Sequence, residues 1–204
     1  NQPLLATGSY DKTVIIYDLS TLPPTIQYHL KHHTDGIRSI AFHSSFPLLA
    51  TASNDTTVIL YNLKTTPVTI QHHFKDHKDW VDTVTFHPCI LCLATGSYDK
   101  SVILYDISVS PPNIRHRVNH HTKAVYCVVF HSTVPLLATS SSDASTLLYV
   151  ISSPSAPSAP LTVQYRLKHH KSFVCSVDFH DTLQLMATGS GDYTVILYDL
   201  TTAP

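Results

Sequence analysis

Residues 36–75 contain four short segments that differ in how apolar positions are spaced. GIRSIAFH (36–43), PLLATAS (47–53) and TTVILYNL (56–63) are densely apolar without clean alternation, whereas TIQHHFK (69–75) is polar and rich in His and Gln. Runs this short, bounded by Pro, Ser, Asn and Asp, read as strands. The three apolar runs fit strands covered on both faces of a sheet. The polar fourth fits an outer edge strand, where polar side chains discourage pairing with other chains. The pattern therefore predicts a sheet of four strands.

The unit recurs along the whole chain. LLATGSYDKTVIIYDL (4–19) returns as LLATASNDTTVILYNL (48–63), CLATGSYDKSVILYDI (92–107), LLATSSSDASTLLYVI (136–151) and LMATGSGDYTVILYDL (185–200). The marker residues Thr7, Thr51, Thr95, Thr139 and Thr188 are spaced by 44, 44, 44 and 49 residues. A fixed period of this size means stacked supersecondary units. The longer last step comes from one insertion, SPSAPSAP (153–160), a Pro/Ser/Ala loop expected to be extended. A lone unit could not bury both faces of its sheet, so the repetition is a physical requirement. The units read as 1–30 (partial), 31–74, 75–118, 119–167 and 168–204 (partial), within one domain spanning 1–204. Eighteen strands are expected, with three complete units flanked by two that each lack one strand.

Other residue types keep fixed offsets from the marker threonine. His33, His77, His121 and His170 lie 18 residues before it, and Asp11, Asp55, Asp99, Asp143 and Asp192 lie 4 after it. Tyr17, Tyr61, Tyr105, Tyr149 and Tyr198 follow 6 residues beyond the Asp. An imidazole can donate to a carboxylate with one nitrogen and contact a hydroxyl with the other. A buried Asp needs such partners, since an unpaired one is costly. The regular spacing therefore suggests a buried hydrogen-bond network in each unit.

This arrangement closely resembles the WD40 repeat family, over essentially the whole chain and five times over. The resemblance implies an all-β, WD40-type β-propeller with about four and a half blades present. It further implies that the chain is part of a larger ring of about seven blades, the commonest size in the family. It also implies a structural tetrad in each of four units: His33, Thr51, Asp55 and Tyr61; His77, Thr95, Asp99 and Tyr105; His121, Thr139, Asp143 and Tyr149; and His170, Thr188, Asp192 and Tyr198. Two departures stand out. The family's glycine before the His is His32, Asp76, His120 and His169, and its Trp is Tyr in every copy. A phenol lacks the indole N–H, and its hydroxyl lies further out, so a different partner is expected for it.

In a WD40 propeller the loops carrying the His and the Asp share one rim, often the face that binds partners. By that resemblance Tyr10, Asn54, Trp80, Tyr98 and Phe173 form a candidate partner-binding rim. Aromatics are enriched at binding hot spots. Packing of these rings between blades is the alternative.

Composition narrows the function classes. The chain of 204 residues has a net charge of −1 and a pI near 7.0, which argues against a nucleic-acid surface or a polybasic membrane patch. No apolar run approaches the ~18 residues of a membrane span. All 14 acidic residues are Asp and there is one Met, so good helix formers are scarce while Val, Ile, Thr and Tyr abound. Cys89 and Cys92 have CxxC spacing, but Cys92 occupies the strand position of Leu4, Leu48 and Leu136, so the four cysteines read as buried small residues in a reducing, intracellular setting. The 15 histidines follow the repeat and spread around a ring, so neither a metal site nor a cofactor is expected. No nucleophile elbow, phosphate loop or paired carboxylates occur. The expected function is a non-enzymatic scaffold that binds a protein or peptide partner on the rim. The alternative is a structural or assembly component of a larger complex.

Overall fold

A computed structural model describes residues 3–151 and 160–201; the SPSAPSAP insertion lies almost wholly outside the described residues. Those residues form eighteen strands in five sheets and no helix, so no helix is long and apolar enough to cross a membrane. The first sheet orders β1 (Leu4–Gly8), β2 (Val14–Asp18) and β3 (Thr25–Leu30). The second orders β4 (Ile37–Phe42), β5 (Leu48–Ser53), β6 (Val58–Asn62) and β7 (Thr69–Phe74). The third holds β8 (Val81–Phe86), β9 (Cys92–Ser97), β10 (Val102–Asp106) and β11 (Asn113–Val118). The fourth holds β12 (Val125–Phe130), β13 (Leu136–Ser141), β14 (Thr146–Val150) and β15 (Thr162–Leu167). The fifth consists of β16 (Val174–Phe179), β17 (Leu185–Ser190) and β18 (Val195–Asp199).

Every pairing is antiparallel between sequence neighbours, as in propeller blades. The inner strands β4, β8, β12 and β16 stand beside one another, so the sheets fan out along an arc. Each sheet packs a face on the next. Ala50, Ala52, Val58 and Leu60 of the second sheet meet Val84, Leu93, Ile103 and Tyr105 of the third in one apolar core. The following core joins Ala94, Val102 and Leu104 to Val128, Leu137, Leu147 and Tyr149.

Burial differs along each blade. The second and third strands are buried throughout in the middle blades, as their continuous apolar sequence requires. The innermost strands are only partly buried, because one edge faces the axis of the arc rather than a neighbouring sheet. The outer strands are polar and exposed except for a final apolar residue, such as Leu30, Phe74 and Leu167. Cys92 is buried, but Cys89 and Cys175 are exposed, which corrects the expectation that all four thiols are interior. Cys89 sits in the loop before β9. Cys175 sits on the innermost strand, whose burial is incomplete.

Each inner strand carries one extra residue where its register with the second strand slips. These residues are Arg38, Asp82, Tyr126 and Cys175. A bulge of this kind re-aims a side chain out of the ladder. The turn between second and third strands also repeats. Thr56 N–H donates to Ser53 C=O and Ser53 N–H donates to Thr57 C=O. Thr56 takes a left-handed φ of 71°, as do Lys12, Lys100, Ala144 and Tyr193 at the same place.

Candidate functional site

The rim at the turns is built on the recurring polar network. His33 reaches Asp55 Oδ2 with Nδ1 at 2.8 Å and Thr51 Oγ1 with Nε2 at 2.8 Å. The equivalent pairs are 3.0 and 2.8 Å at His77, 3.0 and 2.7 Å at His121, and 3.0 and 2.8 Å at His170. The His comes from the loop before the inner strand, the Thr from the second strand, and the Asp from the turn that follows. The network thus ties three separate segments of a blade together.

Asp55 is held on both oxygens. Oδ2 also accepts from Thr34 N–H, and Oδ1 accepts from the amide and hydroxyl of Thr57. Burial alone would push this carboxyl up, but the bonds from His33, Thr57 and Thr34 outweigh it and hold it well below the usual carboxylate range. Asp99 and Asp143 are held down in the same way. The hydroxyls two residues after the Asp (Thr57, Ser101, Ser145 and Thr194) are members that sequence reasoning missed. So are Ser53, Ser97, Ser141 and Ser190, whose Oγ accepts from the Asp amide and donates back to the His-bearing loop. Both positions carry Ser or Thr in every copy, and that was the available signal.

The tyrosines are buried beside this trio, and their hydroxyls reach the residue before the His. Tyr61 meets His32 Nδ1 at 3.3 Å, Tyr105 donates to Asp76 Oδ2 at 3.2 Å, and Tyr198 meets His169 Nδ1 at 3.2 Å. Tyr149 stacks on His120 with ring centroids 5.8 Å apart, but its hydroxyl is buried without a partner. Burial pushes the Tyr61 and Tyr149 phenols up to about 12, so they stay neutral.

A Thr–His–Asp relay could in principle activate a hydroxyl nucleophile. Here Thr51, Thr95 and Thr139 are fully buried, so no substrate can approach the hydroxyl. The arrangement fixes the loops of each blade. A second set of histidines acts locally. His43 Nδ1 accepts from the amides of Ser45 and Phe46, and His131 and His180 do the same for the two amides at the same spacing. No three His, Cys or Asp side chains among the described residues converge to hold a metal ion. A polar cleft of about 290 Å³ lies between Asp76, Lys78, Asp99, Ser101, Arg117 and Asn119. Two of its carboxylates are already engaged, Asp99 by His77 and Asp76 by Tyr105.

The chain matches the WD domain, G-beta repeat family (WD40) at residues 1–18, 24–62, 68–106, 113–149 and 161–199. The chain belongs to the WD40 repeat family. Each complete WD40 stretch starts on the outer strand of one sheet and ends on the third strand of the next, so the sequence repeat and the blade are staggered. WD40 repeats generally mediate protein–protein interactions and are generally non-catalytic. No curated protein matches the chain.

On this WD40 arc the rim residues fall into two groups. Tyr10 is 66% exposed and its hydroxyl is bonded by Arg38, whose guanidinium also pairs with Asp82. Burial pushes the Asp82 carboxyl up, against the pull of Arg38. Asn54 is half-buried, with its side-chain oxygen enclosed and unpartnered. Trp80 (42% exposed) and Phe173 (44% exposed) belong to a row that runs Trp80, Tyr98, Tyr126, Phe173. Phe173 lies against Gly191, where any side chain would collide with its ring. Tyr126 joins two of the rings and was missed in the sequence, because only the bulge on β12 aims it at the rim.

Proposed function

We propose that this WD40 arc is a non-enzymatic scaffold that binds a protein or peptide partner across the rim carrying Tyr10, Asn54, Trp80, Tyr98 and Phe173. The observation that carries the reading is the aromatic row that spans three successive blades, with Trp80 and Phe173 exposed at its ends and Tyr98 and Tyr126 part-buried between them. Large rings that stay half-exposed give contact area at low entropic cost, and such residues dominate interface hot spots. Support also comes from the rigidity of the frame. Each loop beneath the row is fixed by a His–Asp–Thr network, so little ordering cost is left for binding. The repeat units and the tetrads named from the sequence belong to the same proposal, as the frame for the rim.

A second reading is an assembly component of a larger complex. The two readings part in one experiment. Wild-type chain and a Trp80→Ala, Tyr98→Ala variant are used to capture partners from the source tissue and to follow incorporation into large complexes. Loss of a soluble partner with intact incorporation supports the rim. Loss of incorporation with no soluble partner supports assembly.

A further inference from the structure

The histidines that end the inner strands lie on the rim opposite the tetrads, in the turns that join the first two strands of each blade. His43 follows β4, His87 follows β8 and His131 follows β12. Each ring touches the phenylalanine that closes the inner strand of the next blade. Centroids lie 5.2 Å apart for His43 and Phe86, 5.0 Å for His87 and Phe130, and 5.0 Å for His131 and Phe179. Two of these turns also reach the next one through a hydroxyl. Ser44 Oγ donates to Pro88 C=O at 2.9 Å, and Ser132 Oγ donates to Asp181 C=O at 3.3 Å. Each imidazole therefore belongs at once to a turn and to a seam between blades.

The turn fixes which nitrogen carries the hydrogen. His87 Nδ1 accepts from the Cys89 amide at 3.1 Å, as His43 and His131 accept from two amides each. A nitrogen that accepts an N–H must keep its lone pair, so these rings are neutral with the hydrogen on Nε2. We propose that the three rings form a proton-operated latch, which holds each blade against the next when neutral and releases that rim of the seam when protonated. A proton taken from solvent onto Nδ1 sets one N–H against another, so the ring swings out of its turn and leaves the phenylalanine. The tetrad rim answers differently. His33, His77 and His121 face a carboxylate with Nδ1 and a hydroxyl with Nε2, and both of those partners can accept. Acid thus loosens one rim of the arc while the other stays tied, and the blades pivot about the tetrads. The latch is independent of what the tetrad rim binds.

The groups that face the latch are of both kinds. His43 and His87 face one another across a seam, and Arg115 of β11 also faces His87; both neighbours disfavour a proton on His87. Asp181, in the turn after β16, faces His131 and favours one, and the Ile90 carbonyl does the same for His43. Burial is the largest influence at all three rings and holds each below the ordinary value of 6.5. The open turn takes up protons first, so the latch is fully closed above about pH 6.5 and weakens as pH falls below that value.

Hydrogen–deuterium exchange of the full 204-residue chain reads the two rims separately. It is run at about pH 7.5 and about pH 5.5, with rates corrected for the chemical dependence of exchange on pH. Protection of the turns 43–48, 87–92 and 131–136 is expected to fall about three- to ten-fold at the lower pH, where about ten-fold is the ceiling for one such group a pH unit below 6.5. Protection of the loops at Thr34, Lys78 and Thr122 is expected to hold, because the carboxylates that tie them stay ionised there. His131→Asn offers a side-chain oxygen to the same two amides without a titrating ring. In that variant the pH response should vanish at 131–136 and persist at 43–48 of the same molecule. Equal loss on both rims of the wild-type chain overturns the proposal, as does no loss at the three turns. A response that survives at 131–136 in His131→Asn overturns it too. If that variant melts well below wild type, the comparison of the two rims in the wild-type chain decides alone.

Discussion

Tyr105 donates its hydroxyl to the Asp76 carboxylate at 3.2 Å, although the two belong to different segments of the third blade. The strand supplies the phenol and the loop before β8 supplies the acid. The fourth blade lacks this bond, because Tyr149 faces His120 with a hydroxyl that is buried and unpartnered. Two identical substitutions should therefore differ. Tyr105→Phe leaves a carboxylate without its donor and is expected to cost about 1 kcal/mol. Tyr149→Phe removes an unsatisfied polar atom and is expected to be neutral or slightly stabilising. Urea denaturation of the two variants checks the contrast.

The strands were legible in the sequence because five near-copies average out local ambiguity. Pro-bearing loops and the marker Thr placed the boundaries within a residue or two of those seen at β4, β5, β6 and β7. The His, Thr and Asp of the network were legible from their fixed offsets. Less legible was anything set by backbone geometry. Tyr126 reaches the rim only through a register slip, which no residue type announces. The left-handed turn position was hidden as well, since it is filled by Lys, Thr, Ala and Tyr rather than Gly. The incomplete burial of the inner strands follows from the axis of the arc, which a local apolar run does not reveal.

The network should be stabilising in proportion to what it joins. Asp99→Ala removes the acceptor for His77, Ser101 and the Lys78 amide at once, and is expected to cost about 2–4 kcal/mol. Asp11→Ala, at the equivalent turn of the first sheet, touches only Ser9 and Thr13 and should have a far smaller effect. Thermal melts of the two variants side by side test the difference.

The turn geometry gives an opposite expectation. Thr56 is β-branched and held at φ 71°, a region costing non-glycine residues about 1–2 kcal/mol. Thr56→Gly relieves that strain but adds chain entropy to the unfolded state. A net gain of about 0.5–1 kcal/mol is expected, read as a higher denaturation midpoint.

Acid should weaken the fold in two stages. Burial lowers His43, His87 and His131 below their ordinary value of 6.5, and His43 and His131 accept amide bonds on Nδ1 in the neutral form. The unfolded chain takes up these protons first, so stability is complete above about pH 6.5 and declines as pH falls through that value. Asp55, Asp99 and Asp143 are depressed below 3.8 in the fold, so their contribution is present above that value and is lost as pH falls below it. Melting temperature against pH should show a shoulder near 6 and a steeper loss below about 4.

Hydrogen–deuterium exchange of the chain, with and without a captured partner, tests the rim directly. The account predicts protection centred on the loop and turn around Trp80 and Tyr98, extending to the start of β12 and β16. Protection confined to the outer strands β7, β11 and β15, or to the outward faces of the first and last sheets, with the rim unchanged, would contradict it.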